Sequence, residues 1–163
     1  MRAWRHAGAL AVLSILATGV AQAAPVAERA IRDSLDRLAQ AWNTPDGSAW
    51  AAEYWSEGEL INILGVVLAG AREVGERSAA ILAGPFRGTH FSYRVRRIRF
   101  IGTQVAIVDT DISVSGFRGL PGIAATSPGE LRTRMKHVYE RRQEKWRIVA
   151  SQNTAVVASP AQP

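Results

Sequence analysis

The sequence predicts an α+β domain in which helices and strands occupy separate stretches of the chain. Amphipathic helical patterns fill much of the first half, and a run of long, alternating strands fills the second half. Helices that are segregated from consecutive strands pack on one face of an antiparallel sheet. We therefore expect a curved antiparallel sheet wrapped on three helices, with a ligand pocket between the two layers.

The first 23 residues are predicted to be a secretory signal peptide. Arg2 and Arg5 form a basic start, residues 7–20 are mostly apolar, and Ala21-Gln22-Ala23 has the small-residue pattern of a cleavage site. The apolar run is shorter than the roughly 20 residues that a membrane-spanning helix needs. We therefore expect a bacterial protein that is periplasmic or secreted, with no membrane insertion after signal cleavage.

The remaining chain has the length of one domain, which we place at 24–157, followed by a disordered tail at 158–163. The sequence contains no cysteine, which excludes disulfides, thiolate metal sites and a cysteine nucleophile. Its net charge is +6, and much of the basic excess lies at 94–99 and 132–147. Arginines there alternate with apolar residues, as on the solvated face of a sheet, so we expect no nucleic-acid partner.

Three helices are predicted before the long strands. In residues 26–43, apolar side chains recur every three or four positions, which is the period of one helix face. Thr44 is the predicted N-cap of a short second helix, with Pro45 as its first residue and Tyr54 at its end. A third helix is expected at Gly70–Ala83, although Gly75 weakens it by about 1 kcal/mol relative to alanine.

Six strands are predicted from alternating or apolar runs between turn residues. They are Leu60–Leu64, 66–68, His90–Ile101, Gln104–Ser115, Leu131–Arg142 and Lys145–Val156. We expect a turn at Ser56–Glu59 and a loop at 116–129. In the strand from His90, the apolar residues change from odd to even positions near Arg96-Arg97, which predicts a β-bulge because one extra residue exchanges the two faces.

Several short segments together resemble one fold family. They are Ala41-Trp42-Asn43 with Asp46, Leu60 to Gly65, Phe86-Arg87-Gly88, Val105 to Val108, and Lys145 to Ala150 with Asn153-Thr154. In this order and spacing the chain resembles the nuclear transport factor 2-like superfamily, with its cone-shaped α+β fold, and within it the SgcJ/EcaC group of SnoaL-like proteins. The resemblance implies a single SnoaL-like domain, and we expect it to form a homodimer through the outer sheet faces. The same cone carries isomerases, cyclases, hydrolases, dehydratases and binding domains, so function has to be argued from the site.

Two uncharged amides stand at the positions where we expect the pocket. In ketosteroid isomerase-like relatives the strand that corresponds to Leu60–Leu64 carries a proton-shuttling aspartate, and this chain has Asn62 there. The family pattern often has histidine before Asn153-Thr154, and this chain has Gln152. Gln152 shares strand parity with Trp146 and is therefore expected to face the interior. An amide orients a ligand but cannot take up and return a proton near neutral pH. For Asn62, the open alternative is a hydrogen bond to neighbouring backbone.

Three titratable residues are the candidates for catalysis if the protein is an enzyme. His137 lies on a strand that could neighbour the strand of Asp109 and Asp111, and a histidine–aspartate dyad would suit proton transfer near pH 7. The alternative is a partly exposed histidine without a catalytic role. No metal site is expected, because His90, His137 and the aspartates lack a helpful spacing.

Aromatic residues gather where the first two helices meet, and they would form either a pocket wall or simply core. They are Trp42, Trp50, Tyr54 and Trp55. We expect the ligand pocket to include Trp42, Tyr54, Asn62 and Gln152, a small apolar molecule as partner, and no cofactor. Three functions remain open: a non-catalytic binding protein, an isomerase, cyclase or dehydratase that uses Asp109, Asp111 or His137, and an interaction module that uses its sheet face.

Overall fold

The structure is a computed structural model that describes residues 14–157, with side chains described from residue 24. The predicted tail at 158–163 and the first thirteen residues of the predicted signal peptide lie outside the described residues. In chain order the elements are α1 Ser14–Asn43, α2 Gly47–Ala51, β1 Tyr54–Ile61, β2 Val67–Ala69, α3 Gly70–Ala83, β3 His90–Ile101, β4 Val105–Ser115, β5 Glu130–Arg142 and β6 Lys145–Ala155. The α+β class predicted from the sequence is confirmed.

The strands form one six-stranded sheet in the order β2-β1-β6-β5-β4-β3. The pairing is antiparallel except between β1 and β6, which run parallel. The predicted sheet was wholly antiparallel, so this pair is a correction. β1 and β6 come from opposite ends of the domain, and a parallel pair needs the long connection that the intervening chain supplies.

Helix α1 packs its apolar face against the sheet. Ile31, Leu35, Leu38 and Trp42 are all buried, as their helical spacing predicts. The helix ends at Asn43 as expected but begins at Ser14, twelve residues before the predicted start, and continues through Pro25. Within residues 14–157, no helix has the length and apolar character needed to cross a membrane.

Helix α2 is shorter than predicted and has a different cap. Asp46, not Thr44, is the N-cap, because its carboxylate accepts a hydrogen bond from the backbone N–H of Ala49 at 2.9 Å. The Thr44 hydroxyl instead donates back to the Gln40 carbonyl at the end of α1. The helix stops at Ala51, and Tyr54 begins β1 rather than ending the helix.

The predicted turn at Ser56–Glu59 is wrong, because these residues continue strand β1. The pairing of β1 with β6 is irregular there: Tyr54 lies opposite Ile148, and Glu59 lies opposite Ala150. Gly58 permits this close approach, since a Cβ atom at Gly58 would lie 2.6 Å from the Ile148 carbonyl oxygen. A local composition that is typical of turns is therefore used for a bulged strand.

Two bulges decide which side chains face the helices. The predicted bulge in β3 is confirmed, since the register with β4 shifts between Val95 and Arg97. A second bulge lies in β6, where Ala150 pairs with Val138 but Ile148 pairs with Tyr139, so that Val149 is the extra residue. Because of this extra residue, side chains after Val149 point to the opposite face from the one that simple alternation predicts.

Candidate functional site

A cavity of about 120 Å³ lies between the inner face of the sheet and the helices. Its helix side carries Trp42, Trp50, Ser78 and Ile81, and its sheet side carries Ile112, Val114, Leu131, Thr133, Met135 and Asn153. Leu60, Asn62, Phe86, Phe91 and Leu120 are among the residues that complete the lining. Among the described residues, Arg77 is the one ionisable group in this lining, and its side chain is exposed. The surroundings of a bound molecule would thus be mostly apolar.

The aromatic wall predicted from the sequence exists, but with different members. The Trp42 ring lies 5.8 Å from Trp50 and 5.2 Å from Phe86, both at steep edge-to-face angles, and 5.5 Å from Phe91. Edge-to-face packing of this kind fixes the ring orientations. Trp55 lies elsewhere, since its indole N–H donates to the Glu140 carbonyl at 3.1 Å.

Asn62 reaches the cavity, and it also holds the turn between β1 and β2. Its Oδ1 accepts hydrogen bonds from the backbone N–H groups of Leu64 at 2.9 Å and Val66 at 3.0 Å. The Asn62 backbone N–H donates to the Val66 carbonyl. Both lone pairs of Oδ1 are thus engaged, which leaves the Nδ2 group for a ligand. The two alternatives for Asn62 hold together, because the residue serves the turn and lines the cavity.

Gln152 is exposed and does not line the cavity, which corrects its predicted place in the pocket. The physical reason is the bulge at Val149, which turns Ser151 inward and Gln152 outward. Gln152 instead borders a polar groove on the outer face of the sheet, together with Asp109 and Lys136. Asn153 takes its place and lines the cavity.

Tyr54 is also absent from the cavity lining and belongs to a buried polar chain beside it. Its hydroxyl donates to Ser151 Oγ at 3.1 Å, and Ser151 Oγ lies 2.9 Å from His137 Nδ1. Each of the three residues is at most 4% exposed. Burial raises the pKa of Tyr54 to about 12, although the hydrogen bond to Ser151 opposes this. The hydrogen bonds from Tyr54 to Ser151 and from Ser151 to His137 form together when the Ser151 hydroxyl donates to Nδ1. Neutral His137 then carries its proton on Nε2.

Burial lowers the pKa of His137 from its ordinary value of 6.5 to about 4, because the apolar surroundings disfavour the charged ring. Two tyrosines are the titratable groups that face the His137 ring. Tyr54 reaches it through Ser151, and the ring centroid of Tyr139 lies 6.1 Å from that of His137. A small void of about 10 Å³ touches His137 and shares Trp50 and Met135 with the main cavity. His137 therefore lies one layer behind the cavity wall.

The proposed dyad of His137 with Asp109 or Asp111 is wrong, because the residues lie on opposite faces of the sheet. His137 pairs across strands with Val108 and faces inward, whereas Asp109 pairs with Lys136 and faces outward. A hydrogen bond from Lys136 is the main cause that holds the pKa of Asp109 below its ordinary value. The Asp109 side chain also bonds Arg97, so it serves an ion-pair network rather than the cavity.

Asp111 is held in a second cluster of ion pairs on the outer face. Its carboxylate lies 2.7 Å from Arg94, 3.1 Å from Arg96 and 3.3 Å from Arg134. Partial burial acts to raise the pKa of Asp111, but hydrogen bonds from Arg94 and Arg96 outweigh it and the pKa lies below the ordinary value. Neither aspartate is placed to act on a molecule in the cavity.

Three residues of the cavity lining have a buried polar atom without a hydrogen-bond partner among the described residues: Thr133 Oγ1, Asn153 Oδ1 and Trp50 Nε1. Sequence alternation predicts an inward Thr133, because it shares a face with Met135 and His137. It does not predict an inward Asn153, which depends on the bulge in β6. In residues 24–157 we also find no cluster of three or more histidine or acidic side chains that could hold a metal ion.

No family model and no curated protein matches the chain. Solved structures do match it. A domain of unknown function with a cystatin-like fold from Nostoc punctiforme is 26% identical, with a TM-score of 0.70, over 81% of this chain and 78% of that one. An NTF-2-like protein of unknown function from Shewanella oneidensis is 16% identical, with a TM-score of 0.64, over 78% and 98%.

A third similar structure is an enzyme. Hexachlorocyclohexane dehydrochlorinase LinA-type3 from Novosphingobium barchaimii is 12% identical, with a TM-score of 0.71, over 85% of this chain and 92% of that one. At this identity the likeness concerns the fold alone. The chain thus has the cystatin-like, nuclear transport factor 2-like fold, and this fold includes both enzymes and proteins of unknown function.

Proposed function

We propose that the protein is an exported binding protein that holds a small, mostly apolar molecule in the cavity between sheet and helices, without converting it. The apolar lining is the observation that carries this proposal. A cavity of about 120 Å³ walled by Trp42, Trp50, Phe86 and Phe91 offers burial to an apolar ligand. A preformed aromatic wall also spares the ligand the cost of ordering the site.

The chemistry of the lining argues against catalysis by proton transfer. A general acid or base must reach the substrate within hydrogen-bond distance and titrate near the working pH. Asp109 and Asp111 are on the outer face, and His137 lies behind the wall with its pKa lowered to about 4. Among the described residues the lining supplies amides, hydroxyls and the exposed Arg77, which orient a molecule but do not exchange protons with it.

The alternative function is an isomerase, cyclase or dehydratase with His137 as its base. The void that adjoins His137 favours it, because a movement of Met135 would open a path from the cavity to the imidazole. The enzyme with a similar fold shows that this cone can host catalysis. For this chain the alternative requires the pKa of His137 to rise when a substrate binds.

Export is proposed from the N-terminal pattern and is supported by Pro25. This proline lies inside the long helix α1, where an interior proline costs about 3 kcal/mol. Cleavage after Ala23 would leave Pro25 in the first helical turn, where its missing N–H costs nothing. Mass spectrometry of the protein recovered from a bacterial periplasm or medium should show a chain that begins at Ala24. An uncleaved N-terminus on recovered protein would contradict the proposal.

We also propose a homodimer that forms through the outer sheet face. Ile107, Val138 and Ala150 are cross-strand neighbours on that face, and each keeps part of its surface exposed. An apolar strip between charged clusters suits a second copy of the chain. Membership of the SgcJ/EcaC group is likewise a proposal, and it rests on the segments that resemble that group. Light scattering of the purified protein tests the dimer, and a monomer at micromolar concentration would contradict it.

Binding is tested by thermal shift of the purified protein with soluble single-ring compounds such as toluene, phenol and cyclohexanone. A ligand at 100 times its Kd stabilises the folded state by about 2.7 kcal/mol, so hits should raise Tm in proportion to the logarithm of their concentration. Nuclear magnetic resonance of the same mixtures reports any product. A product that disappears in the His137→Gln variant would favour the enzyme.

A cavity-filling variant shows where the hits bind. Ile81 lies on α3 at the cavity wall and is partly buried, so Ile81→Trp should fill the space and abolish the shifts. Ile101 is the matched control, because it is 51% exposed at the end of β3 and Ile101→Trp should leave the shifts unchanged. Equal shifts in wild type and Ile81→Trp, or no shift with any compound, would overturn the proposed function.

A further inference from the structure

The inner face of the sheet carries two polar atoms that the fold itself does not use. Thr133 is 2% exposed, and its Oγ1 has no hydrogen-bond partner among the described residues. The buried Oδ1 of Asn153 also has no hydrogen-bond partner there. Unsatisfied buried polar atoms are rare in folded proteins, and each destabilises the folded state relative to a satisfied one. Both residues line the same cavity.

The strand register places these two side chains beside one another. Thr133 on β5 lies opposite Ala155, and Asn153 on β6 lies opposite Met135, so the two are diagonal neighbours on one face. Diagonal pairs in an antiparallel sheet are within reach of a group that lies between them. The remainder of the sheet side of the cavity is mostly apolar, with Ile112, Val114, Leu131 and Met135. The pair therefore forms a small polar spot in an apolar wall.

A third buried polar atom without a partner, the indole N–H of Trp50, belongs to a residue on the helix side of the cavity rather than on the sheet. It faces the hydroxyl of Tyr54 and acts to lower the pKa of that group, although the two do not meet at full hydrogen-bond geometry. Trp50 therefore contributes its ring to the cavity, and its N–H acts on the hydroxyl of Tyr54.

We propose that Thr133 and Asn153 form a hydroxyl-recognition subsite, and that the ligand is a single-ring phenol or alcohol. This inference rests on the proposed binding function and adds the chemical class of the ligand to it. A ligand hydroxyl accepts a hydrogen bond from Thr133 Oγ–H and donates one to Asn153 Oδ1. A hydroxyl both donates and accepts, so it also fits the reversed orientation of the Asn153 amide.

The size of the cavity limits the apolar part of the ligand to about one ring. Its volume of about 120 Å³ is comparable to the roughly 150 Å³ of an apolar cavity that holds benzene. Trp42 on α1 lies across from the sheet, Phe91 on β3 lies 5.5 Å from the Trp42 ring, and the two side chains provide the surface on which such a ring packs. The charged form of an acid or amine would have no oppositely charged group in Thr133 or Asn153.

Phenol and toluene are the probes, because they differ by a hydroxyl in place of a methyl group of similar size. Isothermal titration calorimetry of purified wild-type protein gives both Kd values, and their ratio expresses the preference for the hydroxyl. Thr133→Val keeps the shape and removes the hydroxyl, and Asn153→Leu does the same for the amide. We expect the Thr133→Val plus Asn153→Leu protein to change this ratio by about tenfold or more in favour of toluene.

Stability supplies a second readout that a structural role would not produce. Since the two polar atoms have no hydrogen-bond partner among the described residues, each variant should raise Tm, by roughly 2–6 °C in a domain of this size. Thr110→Val is the matched control. Thr110 is a buried inner-face threonine on β4 whose hydroxyl donates to the Met135 carbonyl at 3.3 Å. Thr110→Val should lower Tm or leave it unchanged. The ratio of the phenol and toluene Kd values should stay as in wild type.

The outcomes separate this inference from the proposed function. Both probes could bind with the same ratio of Kd values in wild type and variants. The cavity would then bind apolar molecules, but the hydroxyl subsite would be refuted and water would be its occupant. If neither probe binds wild type, the binding function and the subsite fail together. Thr133→Val alone serves the same comparison should the double variant not fold.

Discussion

The buried His137 makes a definite prediction about stability below neutral pH. In the unfolded chain a histidine takes up a proton near pH 6.5, whereas in the folded protein burial lowers its pKa to about 4. The unfolded state therefore binds more protons than the folded state between these two values. The sign follows directly: the free energy of unfolding is unaffected by His137 above pH 6.5 and falls as the pH decreases towards 4.

The magnitude follows from the separation of the two pKa values. Each pH unit within the window costs about 1.4 kcal/mol, so the loss between pH 6.5 and pH 5 is about 2 kcal/mol. A carboxylate whose pKa is lowered in the folded protein loses its stabilising contribution at a pH below this window. Glu130, for example, has its pKa lowered from 4.5 to about 2, first by the hydrogen bond from Ser113, so its contribution is lost at lower pH.

Urea unfolding followed by tryptophan fluorescence at pH 7.5, 6.5, 5.8 and 5.0 measures this loss. We expect His137→Asn to remove most of the slope, whatever its own stability at pH 7.5, because asparagine does not titrate. His90→Asn is the control, since His90 is exposed at the start of β3 and should leave the slope unchanged. A flat wild-type profile, or the same slope in His137→Asn, would refute the argument, and titration of the His137 ring by NMR provides an independent value.

Two further predictions concern packing and the outer face. Gly47→Ala should destabilise the protein by more than about 2 kcal/mol, because the new Cβ atom would lie 2.4 Å from the Gly75 carbonyl oxygen where α2 crosses α3. Gly88→Ala, with a positive φ but open space around it, should cost only about 1–2 kcal/mol, and an equal cost in urea unfolding would contradict this account. Asp111→Asn should lower the free energy of unfolding by about 1 kcal/mol or less, since the partners of Asp111 are exposed arginines. Phenol binding should stay unchanged. A loss of phenol binding by calorimetry would indicate that this carboxylate belongs to the functional site.

Much of the fold follows from local patterns. The periodicity of α1, the extent of α3 and the alternation of β4 each depend on one stretch of chain, and the structure agrees with all three. The bulge in β3 was also predictable, because the apolar residues visibly change parity near Arg96-Arg97. Where two local signals competed, as at Thr44 and Asp46, the choice of helix cap depended on which hydrogen bonds the packed chain could complete.

The bulge in β6 shows why the site was harder to predict. Trp146 and Ile148 alternate inward, but the residues after Val149 are small or polar, so no large apolar side chain beyond the bulge marks the change of parity. The register is set by β5, which pairs Val138 with Ala150. This exchange moved Gln152 out of the site and brought Asn153 into it.

The sequence alone determined the α+β class, the inner and outer faces of the regular strands, and the uncharged amide at Asn62. These properties depend on the order and spacing of residues, which are local. Tertiary structure alone decided that β1 runs parallel to β6 and that Gln152 faces away from the cavity. It also decided that Thr133 and Asn153 are neighbours in an apolar wall. Each of these depends on pairing between distant segments, where one extra residue in one strand changes which side chain faces the cavity.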